Sequence, residues 1–537
     1  MKDVFDAIII GGGHNGQILS AYLRKAGLET LVLERRWEPG GGLDTEEVTM
    51  PGFYHNLHAF FLRYVPNLPW YKDLELEHYG ARMIAPPVQS ATPFSDGRCL
   101  VFHIDEEKTI RNIEHFSKKD ADTYRDLRKR FQEMTDSIIG PETYAPPVPF
   151  EEKKAILRQS KIGRDYLEIS EKTPRELATE FFESEQMRAM LIFLVTTKMF
   201  LPDEPGLGYN VASTIGGLRG TLCRGGSHYL AHAMSKFVEA NDGKIWEASH
   251  VREIMINAGR AVGVVLNDGR KIHARKLVAS SVDIPQTFLD LVGEKHLDAG
   301  YIEKARDFKF AKWGLFGVHL ALNEPLHYTS ASFDPDMDFA MNCNIGLESL
   351  EIFDSHLKEI DEGIPPTMPG MQCAMPTIHD PTQAPPGKHT ALLWQFAPYH
   401  LKDGGPEAWD RIGEEYMEVC LDRWRQYTTN LSKENILGTY VLSPLDVERK
   451  LINMRRGDHC VGRPSRDQML DNRPFASECK PYRTPIEGLY LCGSGTHPFG
   501  NVTGAPGYNA ARVICEDLGL NIWWNPTDPR DIWSKLE

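Results

Sequence analysis

Residues 6–45 read DAIIIGGGHNGQILSAYLRKAGLETLVLERRWEPGGGLDT, and this stretch decides the fold. The apolar run Ala7 to Ile10 has the composition of a strand buried on both faces. It leads straight into Gly11-x-Gly13-x-x-Gly16. A helical pattern follows from His14 to Ala26 and stops at Gly27. Thr30 to Leu33 give a second apolar strand, with Glu34 at its end. Strand, glycine turn, helix, strand and acid stand in the order that a dinucleotide-binding unit requires.

Each glycine has its own task. Gly11 allows the tight turn, Gly13 lets the backbone approach a pyrophosphate, and Gly16 lets helix and strand pack closely. The helix then turns its free N–H groups toward phosphate charge. Glu34 stands where a carboxylate accepts hydrogen bonds from a ribose.

The 537 residues are more than one core usually serves, so two or three domains are expected. A formal charge of −15 argues against a nucleic-acid partner. No run of 18 apolar residues marks a transmembrane helix. The opening MKDVF enters the first strand at once, leaving no room for a secretory signal. Nine cysteines are scattered without a C-x-x-C pair, the pattern of reduced thiols in a cytoplasmic enzyme. The histidines show no ligand spacing, so no metal is expected.

Nucleotide-binding elements are expected at the start, middle and end of the chain. Ser117 with Asp120 and Thr173-Pro174-Arg175-Glu176 read as helix starts within a helical stretch from about Asp105 to Met190. A helix over His228 to Asn241 precedes a meander of Val251–Ile256, Ala261–Leu266 and Lys271–Ala274. Leu277–Ser281 reads as a separate strand that rejoins the first sheet. Gly314–Leu322 and Thr390–Phe396 belong to a second sheet, and Gly488–Leu491 enters a further glycine-rich turn. The expected fold class is α/β: a Rossmann-like domain with an inserted α+β substrate domain. The nucleotide domain is assigned residues 1–90, 215–300 and 470–537, and the substrate domain 91–214 and 301–469.

Five segments add to the fingerprint: Gly40-Gly41 before Thr45, PPGKHTALLWQFAPY (385–399), SPLDVER (443–449), YRTPIEGLYLCGSGTHP (482–498) and VTGAPGYNAAR (502–512). With them the chain resembles the phytoene desaturase-like FAD-dependent oxidoreductases. Within these it is most similar to the branch with desaturase-type carotenoid ketolases and mitochondrial pyridine nucleotide-disulphide oxidoreductase domain-containing proteins. The resemblance implies a FAD-binding fold of the glutathione-reductase/amine-oxidase type. It implies that Gly11, Gly13, His14, Asn15, Gly16, Glu34 and Arg35 hold the ADP half of FAD. Gly40, Gly41 and Gly42 lie along the pyrophosphate, and Val251 meets adenine. Gly493 and Ser494 meet the pyrophosphate and ribityl chain, and the helix opening at Val502 and Thr503 addresses the flavin. Where the family often has arginine, this chain has Gly42, and Phe499 and Asn501 have entered the loop that faces the ring.

The implied activity is dehydrogenation of a hydrophobic small molecule, aromatic or isoprenoid, with hydride passing to flavin N5. Only one dinucleotide fingerprint is visible, so the electron acceptor is expected to be oxygen or a quinone. Two alternatives stay open: an oxygenase, ketolase or oxidative-cleavage enzyme using O2, and a lipid-binding escort like the Rab GDP-dissociation inhibitors. His55 and His58 are the candidate acid/base groups, against a packing role beneath the cofactor. Phe499, Asn501 and Tyr508 are the candidate substrate-pocket residues, with Phe499 expected to narrow the space over the ring. The tail NIWWNPTDPRDIWSKLE offers Trp523, Trp524 and Trp533 for docking on the body, a homodimer contact or a peripheral membrane contact.

Overall fold

The computed structural model describes residues 3–217, 219–475 and 481–537; Cys479 lies outside them. In chain order, β1 (Val4–Ile10), α1 (His14–Lys25) and β2 (Thr30–Leu33) form the opening unit. The hairpin β3 (Val88–Pro93) and β4 (Cys99–His103) follows. Three of the helices after it are α2 (Lys118–Met134), α3 (Glu185–Thr196) and α4 (Tyr209–Gly216). Then come α5 (His228–Ala240), β5 (Lys244–Trp246), β6 (Val251–Asn257), β7 (Arg260–Leu266) and β8 (Lys271–Ser280). The later segments are β9 (Gly314–Leu322), β10 (Cys343–Ile345), β11 (Met371–Ala374), β12 (His389–Ala397), α6 (Trp409–Arg425) and β13 (Ile436–Leu442). The chain closes with β14 (Leu489–Leu491), α7 (Ala505–Leu518) and the tail.

The first sheet has five parallel strands in the order β5-β2-β1-β8-β14, with β7 and β6 added antiparallel to the start of β8. Ala7, Ile8 and Ile9 are wholly buried, as the apolar run requires. Ile9 stands opposite both Val32 and Ala279, and Ala279 in turn opposite Tyr490. The expected strands Lys271–Ala274 and Leu277–Ser281 are one strand. Its first half serves the meander and its second half the parallel sheet, with an irregularity against β1 between Phe5 and Ala7. Gly27 (φ +99°) ends α1 with its N–H on the Arg24 carbonyl, a left-handed position suited to glycine.

The second sheet runs β13-β9-β12-β11-β10-β3-β4. It includes β3, which straddles the boundary expected at residue 90. Strands β9 and β12 pair over nine residues, from Gly314–Ala397 to Leu322–His389. Strand alternation gives β12 two faces. Ala391, Leu393 and Ala397 pack in one apolar cluster with Trp409, Tyr416 and Trp424 of α6, whereas Trp394 and Phe396 join clusters on the other side.

The helices between the sheets share a large apolar cluster that includes Phe131, Phe193 and Ile192. The helix starts behave as their side chains dictate: Ser117 Oγ accepts from the Asp120 N–H, and Thr173 and Glu176 form a reciprocal capping box. The tail docks on α1. Trp523 stacks on Tyr22 with ring centres 5.1 Å apart and donates to the Tyr22 carbonyl, and Trp533 is buried. Among the described residues, no helix is long and apolar enough to cross a membrane.

Candidate functional site

A cavity of about 480 Å³ runs from the fingerprint of the first sheet to the inner face of the second. Gly11, Gly13, Glu34, Ser249 and Val251 line one end. Gly41, Gly42, His58, Asn501, Val502 and Thr503 line the middle. Phe61, Phe193, Trp394 and Phe396 line the far end.

At the first end the glycines divide as sequence physics requires. A Cβ on Gly16 would stand 2.1 Å from the Gly11 carbonyl oxygen, and one on Gly11 (φ +95°) 2.4 Å from Ser281 Oγ. Gly13 is different. Its φ of −65° suits any residue, and a Cβ there meets only the Gly41 Cα, at 3.9 Å. The bare Gly13–Gly41 gap is a crevice that a side chain would fill. Glu34 is buried, accepting the Gly12 and Arg36 N–H groups at 2.8 Å each. Gly40 forms a bridge with Gly13 rather than lining the cavity, and Gly493 packs against the Ser281 backbone.

In the middle, α7 points its N-terminus at the cavity. Trp70 Nε1 donates to the Thr503 carbonyl at 2.6 Å and the Tyr144 hydroxyl donates at 2.9 Å, fixing the loop ahead of the helix. Gly504 (φ +66°) is needed there, since a Cβ would strike Trp70 at 2.4 Å. Asn15 reaches across 479 positions to Ser494 Oγ at 3.3 Å. The Asn15 Oδ1 and His14 Nε2 atoms are buried without a hydrogen-bond partner among the described residues.

An NAD(P)-binding Rossmann-like domain model matches residues 9–74. A limonene dehydrogenase subunit from Castellaniella defragrans is 33% identical over 546 residues, covering 99% of this chain and 98% of that protein. The chain belongs to the phytoene desaturase-like oxidoreductases. The rat pyridine nucleotide-disulfide oxidoreductase domain-containing protein 2 is 29% identical, covering 96% of this chain and 94% of its own. Cyclohexylamine oxidase from Brevibacterium oxydans shares the fold, with a TM-score of 0.58 at 16% identity, covering 96% and 99% of the two chains. This member of the phytoene desaturase-like family is therefore an oxidoreductase of flavoprotein type. A bare glycine crevice, a helix N-terminus and orphaned polar atoms at His14 and Asn15 fit a flavin dinucleotide.

The two candidate histidines of this phytoene desaturase-like chain part company. His58 lines the cavity; His55 does not. His55 bonds Thr49 Oγ1 at 2.7 Å and sits edge-on to His319. Burial lowers its pKa to about 4. His58 is pushed down to about 3 by burial first, then by Lys450 and Arg36. Neither is a proton donor near neutral pH.

Two of the expected pocket residues lie off the described cavity wall. Phe499 does not line the described cavity: it turns into the helical cluster, its ring 5.4 Å from Phe200. Tyr508 packs on Tyr22, centres 5.3 Å apart, within the first sheet's core. Both sit where apolar burial outweighs access to the cavity. Asn501, at φ +66°, does reach the wall, as does Arg35, whose Nη2 donates to the Lys450 carbonyl at 2.7 Å.

The far end was not read from sequence. Phe61, Arg63, Phe193, Lys198, Trp394 and Phe396 come from three separated segments. No spacing links them. The one available signal was the period-two alternation of β12, which places Trp394 and Phe396 on one face.

Proposed function

We propose that the chain is an FAD-dependent dehydrogenase of a hydrophobic small organic molecule, aromatic or isoprenoid. The observation that carries this reading is the continuous cavity joining the glycine crevice to the aromatic wall of the second sheet. Gly11, Gly13 and Gly16 shape the turn for the ADP half, Glu34 takes the ribose, and Val251 borders the adenine. Gly41, Gly42, Ser494, Val502 and Thr503 hold the flavin half. When bound, FAD supplies a two-electron acceptor for hydride from a substrate C–H. The chain's own share is orientation and water exclusion: Phe193, Trp394 and Phe396 offer an apolar surface against which a flat or branched hydrocarbon packs. The similarity to a protein named for limonene dehydrogenation supports an apolar substrate.

The lining histidines His14, His58, His250 and His459 are weak bases, since burial lowers each. Hydride loss from a carbon whose cation is stabilised by a neighbouring double bond or ring needs no strong base, which fits an allylic or benzylic position. The electron acceptor is oxygen or a quinone.

The test has two stages. Denatured protein should release FAD, identified by the fluorescence rise on phosphodiesterase treatment. Anaerobic mixing with monoterpene and alkylbenzene panels should then bleach the flavin absorbance, with oxygen or a quinone restoring it. Protein that releases no flavin, or holoprotein bleached by NADPH and by no hydrocarbon, overturns the reading.

A further inference from the structure

The far end of the cavity holds two basic side chains, Arg63 and Lys198, and no anion among the described residues. Arg63 sits on the short strand Leu62–Arg63, paired with Gly220 and Thr221. Its side chain is open by surface area, yet surrounding protein desolvates it and lowers its pKa to about 10. The open surface therefore faces the cavity, whose wall includes Arg63. Among the described residues the guanidinium donates no hydrogen bond and pairs with no carboxylate. Lys198, also on the wall, is buried beside it. Its Nζ donates to Thr214 Oγ1 at 2.5 Å and to Ser213 Oγ at 3.5 Å, both neutral acceptors. Burial lowers its pKa well below the usual value, and the Arg63 charge lowers it further.

Such an arrangement is costly in a bare protein. Buried charges are normally paired, because protein dipoles replace water poorly. Elsewhere the chain satisfies such groups: buried Lys153 meets Glu142 at 2.7 Å, Lys450 meets Asp44 at 2.9 Å, and buried Arg473 directs its donors to backbone carbonyls such as that of Ser494 at 2.7 Å. The only carboxylate on the cavity wall among the described residues is Glu34, already bonded at the fingerprint end. The rest of that wall is uncharged: Phe61, Phe193 and Trp394 stand with the neutral polar side chains Thr197, Gln372 and Gln395.

Resting on the reading of this cavity as a dehydrogenase site, we propose that the substrate is an amphipathic organic acid whose carboxylate pairs with Arg63 and Lys198 while its hydrocarbon body lies on the aromatic wall. A planar guanidinium fork matches a carboxylate in two parallel hydrogen bonds, and Lys198 adds a point charge. The negative group gives Arg63 a partner and favours the protonated form of Lys198. Anchoring one end of the molecule fixes which C–H meets the cofactor, which an all-apolar wall cannot do alone.

The test uses holoprotein and three acid–alcohol pairs of matched skeleton: octanoate with 1-octanol, cinnamate with cinnamyl alcohol, and geranate with geraniol. Calorimetry and perturbation of the flavin absorbance report binding. At least one acid should bind about 10- to 100-fold tighter than its alcohol, the range of a charge-assisted hydrogen bond. Arg63→Met should abolish that preference with flavin content and midpoint potential unchanged, and Lys198→Met should reduce it. Arg63→Lys, which keeps charge and loses the fork, should lower it in part and serves if Arg63→Met fails to fold. Acids that bind no tighter than their alcohols overturn the proposal. So does a preference that survives Arg63→Met, or an Arg63→Met variant whose only change is the flavin potential. Protein that purifies without flavin sinks the dehydrogenase reading instead, and the absorbance of the starting material separates the two failures.

Discussion

His58 Nε2 stands 3.9 Å from Asp44 Oδ2, and the histidine is nonetheless held neutral. The Asp44 carboxylate is already engaged by Arg36 at 3.3 Å and Lys450 at 2.9 Å. Burial and those two cations outweigh its attraction for an imidazolium. A carboxylate beside a histidine is commonly the mark of an acid/base pair; here the charge is spent on arginine and lysine.

The first prediction follows from that neutrality. Unfolded histidine titrates near 6.5 and folded His58 near 3, so the unfolded state binds more protons between those values. Stability is then complete above about pH 6.5 and is lost as pH falls toward 3. His14 and His55, lowered to about 4, act in the same sense. Urea unfolding from pH 7 to 5 should show falling stability, and His58→Leu should flatten the slope by about 1 kcal/mol per pH unit over that range. An unchanged slope would mean that His58 is not buried and neutral. The rate of flavin reduction should show no limb near pH 6.5 that His58→Leu removes.

Two glycine substitutions should separate folding from cofactor binding. Gly16→Ala drives a methyl into the Gly11 carbonyl and should cost about 1–3 kcal/mol of apoprotein stability. Gly13→Ala meets nothing closer than 3.9 Å, so the apoprotein should melt as before while retained FAD falls. Thermal melts of apoprotein alongside flavin content check both. A Gly13→Ala protein with full flavin would remove the crevice from the binding site.

Phe499→Ala should behave as a packing change. Its ring meets Phe200 rather than the described cavity wall, and it is only half-buried. A loss of no more than about 3 kcal/mol is expected, at the low end for phenylalanine truncation. The ratio of rates across a hydrocarbon panel should stay constant; a shifted ratio would return the residue to the substrate site.

Trp70→Phe removes the donor to the Thr503 carbonyl while keeping an aromatic ring under Gly504. The Tyr144 hydroxyl remains on the same oxygen, so the loop should loosen rather than unfold. Flavin affinity should drop by about three- to tenfold, the yield of one ordinary hydrogen bond. Fluorescence titration of apoprotein with FAD measures it.

What could be read from sequence was whatever local chemistry enforces. Gly11, Gly13, Gly16 and Glu34 lie within one strand–helix–strand unit, where backbone conformation and close packing leave few alternatives. The Ser117 and Thr173 caps are equally local. The far chamber was illegible because Arg63, Phe193, Lys198 and Trp394 meet only after two sheets and a helical layer have assembled. The side Phe499 faces was open in the sequence for a related reason. Its position in a flavin-facing loop suggested the cavity, but a side chain in such a loop has two sides to choose from, and Phe200 supplies the more apolar one. The merging of Lys271–Ala274 with Leu277–Ser281 into one strand was hidden by its change of partners halfway along.

Strand β8 carries β1 on one edge and β14 on the other, so residue 9 and residue 490 flank the same backbone. Residues 1–488 alone leave that central seam with only one neighbour, since β14 begins at Leu489. Asn15, Tyr22 and Ala279 all take partners from beyond that point: Ser494, Trp523 and Tyr490. A fragment that stops before Leu489 therefore lacks both the last parallel strand and the Ser494, Val502 and Thr503 stretch of the cavity wall.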